Sequence, residues 1–167
     1  LMDLRKKIVS IPQEPFLFSD TVKENIDFGL QIDKAIADNS DEPADALELL
    51  CEQVSILSEI HNLPNSFQTV LGEKGVNLSG GQKQRLTIAR ALRLPSEVII
   101  FDDNLSAVDY KTESIIQEKV FNQSNKTKII ISHRWSSVKN ADKILVLNKG
   151  QQEAFGPPKD ILSKSTT

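Results

Sequence analysis

The sequence predicts an α/β layered fold, a parallel sheet with connecting helices on its faces, and three observations predict it. Val98-Ile99-Ile100-Phe101 is an unbroken apolar run closed by Asp102, the pattern of a strand covered on both sides. Two long stretches before it, 44–60 and 79–94, carry apolar residues at helical spacing. After it, strand-like and helix-like stretches alternate, which is how a sheet with crossover helices reads along a chain. In such folds ligands gather at the carboxyl ends of strands.

The elements follow in order. Residues 7–11 form a short strand that Pro12 stops. The turn Gln13-Glu14-Pro15 and the apolar Phe16-Leu17-Phe18 lead to Thr21, which with Glu24 has capping-box spacing for a short helix. The polar, acidic stretch 31–43 is a link. A single helix over 44–60 buries Leu47, Leu50, Val54, Leu57 and Ile60; Asn62-Leu63-Pro64-Asn65 breaks it, and 69–77 is a glycine-punctuated loop. The helix over 79–94 turns Leu86, Ala89 and Leu92 inward and ends before Pro95. Beyond the strand at 98–102, Asp109 caps a helix through residue 122 with Ile116, Val120 and Phe121 inward, and 128–131 and 143–148 are further buried strands.

Composition removes several function classes. The 167 residues are 39% hydrophobic and 26% charged, enough apolar material for one packed domain and too little for two. No apolar run approaches the roughly 20 residues that cross a bilayer as a helix. With 20 basic against 23 acidic residues, the chain lacks the basic excess of a phosphate-backbone binder, which disfavours nucleic acid as a partner. Cys51 is the single cysteine, so there is no internal disulfide or multi-cysteine metal site, and a reducing, cytosolic compartment is expected. The sequence opens on Leu1 without a charged-then-apolar leader, as expected of a processed product or an excerpt.

Chemistry concentrates in a few places. In Leu78-Ser79-Gly80-Gly81-Gln82, Ser79 and Gln82 have capping-box spacing and two glycines clear the first amides of the helix. An exposed helix start of this kind suits phosphate; the same residues read equally as an ordinary capped helix with glycines for tight packing. Asp102 and Asp103 close a buried strand, where one acid could hold a hydrated Mg²⁺ and its neighbour could act on an attacking water. As a pair alone they read more readily as a solvated strand end. His133 follows another strand, and Gln13 sits in a Pro-Gln turn; singly, each is unremarkable.

Their order decides the reading. Pro12-Gln13, Leu78-Ser79-Gly80-Gly81-Gln82-Lys83-Gln84-Arg85, the strand with Asp102-Asp103, Ser106-Ala107-Val108-Asp109 and Ser132-His133-Arg134 together resemble the Q-loop, signature, Walker B, D-loop and H-loop of the ATP-binding cassette family. The resemblance covers the chain from Ile8 to about residue 156. It implies a P-loop NTPase-like parallel sheet with an inserted α-helical signature subdomain, about 21–95, and core parts at 1–20 and 96–167. Two stretches, Pro12 through Ile26 and Thr69-Val70-Leu71-Gly72-Glu73-Lys74-Gly75, are similar to the exporter branch, the second to the loop that touches transmembrane coupling helices.

The resemblance implies ATP and Mg²⁺ as cofactors and a cytoplasmic domain at the cell membrane. Asp102 would hold Mg²⁺ through water, Asp103 would act on the attacking water, His133 would contact the γ-phosphate, and Gln13 would sense both metal and phosphate. Ser79, Gly80, Gly81 and Gln82 would face a nucleotide held by a second such domain in a head-to-tail dimer, with Asp109 working across the interface. The sequence departs from the family twice. No glycine is followed by lysine, so the phosphate-cradling G-x-x-x-x-G-K-[ST] is absent, as in a fragment that starts too late. Asp103 stands where the family has glutamate, withdrawing the carboxylate by roughly 1.5 Å; in the resemblance such an acid implies the degenerate half of a heterodimeric exporter, while the retained His133 leaves a slow homodimeric ATPase open. The alternatives are a regulatory half that holds ATP without hydrolysing it, and a fragment that binds nothing.

Overall fold

The computed structural model describes residues 2–28, 30, 45–72, 77–121 and 125–164. The expected link at 31–43 lies outside them. Two compact units divide the chain, Leu1–Ile131 and Ser132–Thr167.

The first unit is built on a parallel sheet of order β1-β2-β3, with β1 at Ile8–Ile11, β2 at Val98–Asp102 and β3 at Thr127–Ile131. The register pairs Ile11 with Phe101 and Asp102 with Ile131. Registered partners share a face, and the face carrying Ile11, Ile99 and Phe101 is the packed one. It meets Leu86, Ile88 and Ala89 of α5 (Gly80–Arg93) and Ile116 and Val120 of the segment after β2 in one core. The opposite face departs from the expectation of burial on both sides: Ile129 and Ile131 are 48% and 52% exposed. An apolar run reports what a strand could bury, whereas coverage is set by whatever packs on it.

The helices mostly follow their local signals. After α1 (Met2–Lys7), which the sequence reading did not anticipate, α2 (Val22–Asp27) is capped as expected, Thr21 Oγ1 accepting from the Glu24 amide at 3.0 Å. The helix expected over 44–60 is two, α3 (Asp45–Gln53) and α4 (Leu57–His61). The break is a Schellman ending: Ser55 adopts φ +56°, its amide bonds the Glu52 carbonyl at 3.0 Å, and the Ile56 amide reaches back to Cys51 at 2.9 Å. A serine occupies the position where glycine is the usual signal. Arg85 then anchors the corner, donating to the Ser55 carbonyl and pairing with Glu59 at 2.6 Å.

Helix α5 carries both halves of the capping box, the Ser79 hydroxyl on the Gln82 amide and the Gln82 side chain on the Ser79 amide. Asp109 caps α6 (Tyr110–Ile116), which loosens into a π-helical turn over Gln117–Phe121. The expected continuation to residue 122 reaches beyond the described residues.

In the second unit, α7 (Trp135–Val138) precedes β4 (Ile144–Asn148), which was expected as a buried strand of the parallel sheet. Instead β4 pairs antiparallel with β5 (Gln151–Gly156), and Leu145 and Leu147 are exposed. Lys149 and Gly150 connect them with φ of +49° and +78°, the two left-handed residues of a type I′ hairpin. Helix α8 (Pro158–Lys164) packs on β5.

Candidate functional site

The end of β2 turns the chain off the sheet through a compact loop. The Asp103 amide extends the ladder to the Ile131 carbonyl at 2.8 Å, and Asp103 itself takes φ +44°, a conformation that aspartate tolerates better than most side chains. Asn104, Leu105 and Val108 are buried beneath the loop, and the Val108 amide closes on Leu105 at 3.1 Å. Gln13, just past the end of β1, donates from Nε2 to Asp103 Oδ2 at 3.4 Å. The parallel pairing of β1 with β2 therefore brings two sequence-predicted residues, 90 positions apart, to one strand edge. Asp102 lies beside them at the strand end. Asp109 closes the loop, and hydrogen bonding from Thr112 holds its carboxyl below the usual carboxylate range.

The start of α5 lies against this loop. A Cβ at Gly81 would stand 3.0 Å from the Ala107 carbonyl oxygen, so Gly81 permits a close backbone approach. At Gly80 a Cβ would meet only the Ala107 Cβ at 3.8 Å, an ordinary contact. The two meanings left open for this glycine pair thus divide: Gly81 has a packing role, and Gly80 sits in an exposed first turn. One turn on, Gln84 Oε1 accepts the Ala107 amide at 3.2 Å.

The two stretches that resemble exporters also meet. The Leu71 amide bonds the Asp20 carbonyl at 2.9 Å and the Val22 amide bonds the Thr69 carbonyl at 3.0 Å, leaving Val70 exposed; residues 73–75 of the second stretch lie outside the described residues. Sequence reasoning missed what fixes this corner. Buried Asn25 accepts the Phe18 amide on Oδ1 at 2.8 Å and donates to the Phe18 carbonyl at 3.0 Å. Arg90 of α5 reaches the Asn25 carbonyl at 2.7 Å, the Phe16 carbonyl at 2.8 Å and Asn25 Oδ1 at 3.0 Å, and lies over the rings of Phe18 and Phe28. Burial pushes the Arg90 guanidinium down to about 10, so it stays charged at neutral pH. No local pattern marks a pair 65 positions apart.

His133 belongs to the second unit. It is exposed and precedes Arg134, whose amide bonds Ser132 Oγ at 3.0 Å.

The model of the ABC transporter family matches residues 1–106. This chain belongs to that family. A probable multidrug resistance ABC transporter ATP-binding/permease protein, YheI of Bacillus subtilis, is 42% identical over 97% of the chain and 26% of its own length. The mitochondrial iron-sulfur clusters transporter ATM1 of Candida albicans is 42% identical over 90% of the chain and 19% of its own. Among solved structures, a bacterial Atm1-family ABC exporter with ATP bound superposes with a TM-score of 0.84 at 33% identity, covering 98% of this chain and 27% of that one. The chain is therefore a nucleotide-binding domain sequence of the exporter branch, and it spans well under a third of each of these proteins. No helix among the described residues is long and apolar enough to cross a membrane.

The donor chemistry fits a magnesium nucleotide in part. The capping box occupies the amides of Ser79 and Gln82, leaving those of Gly80 and Gly81 in a turn where the helix supplies no carbonyl, a fit for phosphate oxygens. Asp102, Asp103 and Gln13 offer hard oxygens, the class Mg²⁺ takes. Among the described residues no three acidic, histidine or cysteine side chains converge on one point, so a divalent ion here would rely on one or two protein oxygens and on the phosphates.

Proposed function

We propose that this chain is the larger part of the ATPase domain of an exporter and couples ATP binding and hydrolysis to substrate export from the cytoplasmic face of the membrane. The observation that carries the reading is the Gln13–Asp103 hydrogen bond of 3.4 Å, which sets the amide of the first motif on the acid of the third at one strand edge. In this reading Asp102 holds Mg²⁺ through water, Asp103 orients and deprotonates the attacking water, and Gln13 orients Asp103 and registers the phosphate. His133 contacts the γ-phosphate. Mg²⁺, when bound, neutralises charge on the phosphates. Ser79, Gly80, Gly81 and Gln82 serve a nucleotide held by a second ATPase domain in a head-to-tail dimer, and Asp109 lies across that interface. The corner built by Arg90 and Asn25, with exposed Phe16 and Val70, is where coupling helices of the transmembrane part dock.

A heterodimer is supported by Asp103 itself. A carboxylate set back by roughly 1.5 Å leaves this chain's own site slow, since misplacement of about 1 Å costs ~10²-fold. Single-turnover hydrolysis in the full-length assembly, with the other site disabled, tests both points. Asp103→Glu is expected to speed this site by on the order of 10- to 100-fold. An unchanged rate in the glutamate variant removes Asp103 from the role of base and favours a half that holds ATP without hydrolysing it.

A further inference from the structure

One residue of the loop after β2 is held at both ends by α5. The Ala107 amide donates to Gln84 Oε1 at 3.2 Å, while the Ala107 carbonyl lies in the space that Gly81 leaves, 3.0 Å from where a Cβ would stand. Gln84 is 4% exposed, and it sits three and four residues after Gly81 and Gly80, on the same face of the helix. Within the loop, the Ser106 amide reaches the Asp103 carbonyl at 3.4 Å and the Val108 amide the Leu105 carbonyl at 3.1 Å, bonds that shape the loop without fastening it to α5. The side chain of Gln84 is thus a buried polar tie between the helix start and the segment that runs from Asp103 to Asp109.

We propose that Gln84 is a positioning residue, fixing the loop of residues 106–109 to the first two turns of α5 so that these two surfaces move as one body. On the function proposed above, both surfaces face the second ATPase domain, so the tie would transmit the closing of one nucleotide site to the loop that reaches toward the other. An oxygen acceptor at this length is what the tie requires. Asparagine would fall short by one methylene, roughly 1.5 Å, and lose the 3.2 Å contact. Methionine matches the length and offers only a weak acceptor. Glutamate keeps the length and an oxygen acceptor, strengthened by its charge.

The test uses the full-length exporter in membranes or detergent, comparing wild type, Gln84→Met and Gln84→Glu. Steady-state hydrolysis of Mg-ATP gives kcat and KM, and hydrogen exchange read by mass spectrometry follows the peptide spanning residues 104–109. Gln84→Met is expected to lower kcat about tenfold, the scale of one lost buried hydrogen bond, with KM within about twofold because no group touching this chain's own nucleotide changes. Its loop peptide exchanges faster, while Gln84→Glu restores both readouts. A side chain that merely fills space would leave kcat and loop exchange the same in the methionine variant, and that result overturns the proposal. Equal damage in the methionine and glutamate variants overturns it as well, since the acceptor would then be irrelevant. A wild-type exporter that hydrolyses no ATP overturns the functional reading instead, and loop exchange then decides the anchoring by itself.

Discussion

Alanine at Gly81 and alanine at Gly80 should have opposite consequences although the residues are neighbours in the same helical turn. Replacing a helical glycine by alanine removes backbone freedom from the unfolded chain and gains up to about 1 kcal/mol. At Gly80 nothing opposes that gain, because the new Cβ meets the Ala107 Cβ at 3.8 Å. At Gly81 the new Cβ stands 3.0 Å from the Ala107 carbonyl oxygen, and ordinary contact begins at 3.4 Å, so the loop must retreat by a few tenths of an ångström. The Ala107 amide is already 3.2 Å from Gln84 Oε1, and a retreat of that size carries it past hydrogen-bonding distance. The lost bond costs ~0.5–1.5 kcal/mol and offsets the gain. Thermal unfolding of the purified chains should place Gly80→Ala above Gly81→Ala by about 1 kcal/mol, or roughly 2–4 °C in a domain of this size. If Gly81→Ala is stabilised as much as Gly80→Ala, the loop does not rest on α5 as described and the reasoning fails.

Two further outcomes follow from buried groups. Arg90→Lys should destabilise the chain by ~2–4 kcal/mol, because one ammonium cannot span the Phe16 carbonyl, the Asn25 carbonyl and Asn25 Oδ1; a urea midpoint equal to wild type would contradict it. Burial pushes the Cys51 thiol up to about 12, so at pH 8 alkylation of this fully buried residue should proceed only through opened molecules, and labelling as fast as that of a free thiol would show that this face of α3 is not packed into the core.

How far the sequence could be read depended on how local each cause was. The capping box of α5 and the closing Asp102 of β2 are written in adjacent residues, so both elements were foreseeable almost to the residue. The break between α3 and α4 was not, because serine at residue 55 adopts the left-handed conformation that glycine normally advertises. The hairpin of β4 and β5 escaped for a related reason: lysine at residue 149 takes the first left-handed position of a turn usually marked by asparagine or aspartate. The exposed face of β3 could not be read from an apolar run, since coverage is a tertiary matter. At the site, the residues carrying motifs were all visible in order. The ties among them, Gln13 to Asp103 and Gln84 to Ala107, span 90 and 23 positions and only the folded sheet creates them.

The pairing of Ile8 with Val98 also sets a schedule for biosynthesis. Between the two partners the ribosome must add the entire stretch that contains α2 through α5, which at 5–20 residues per second takes on the order of 5–18 s. Throughout that interval β1 waits for β2, while the helices after it can already gather around Cys51, Val54 and Ile60. Closing so long a loop is slow, so the helical part should form first and the sheet last. A nascent chain arrested before Val98 would then hold ordered helices while the β1 edge that β2 later fills stays open, the species that a chaperone must guard.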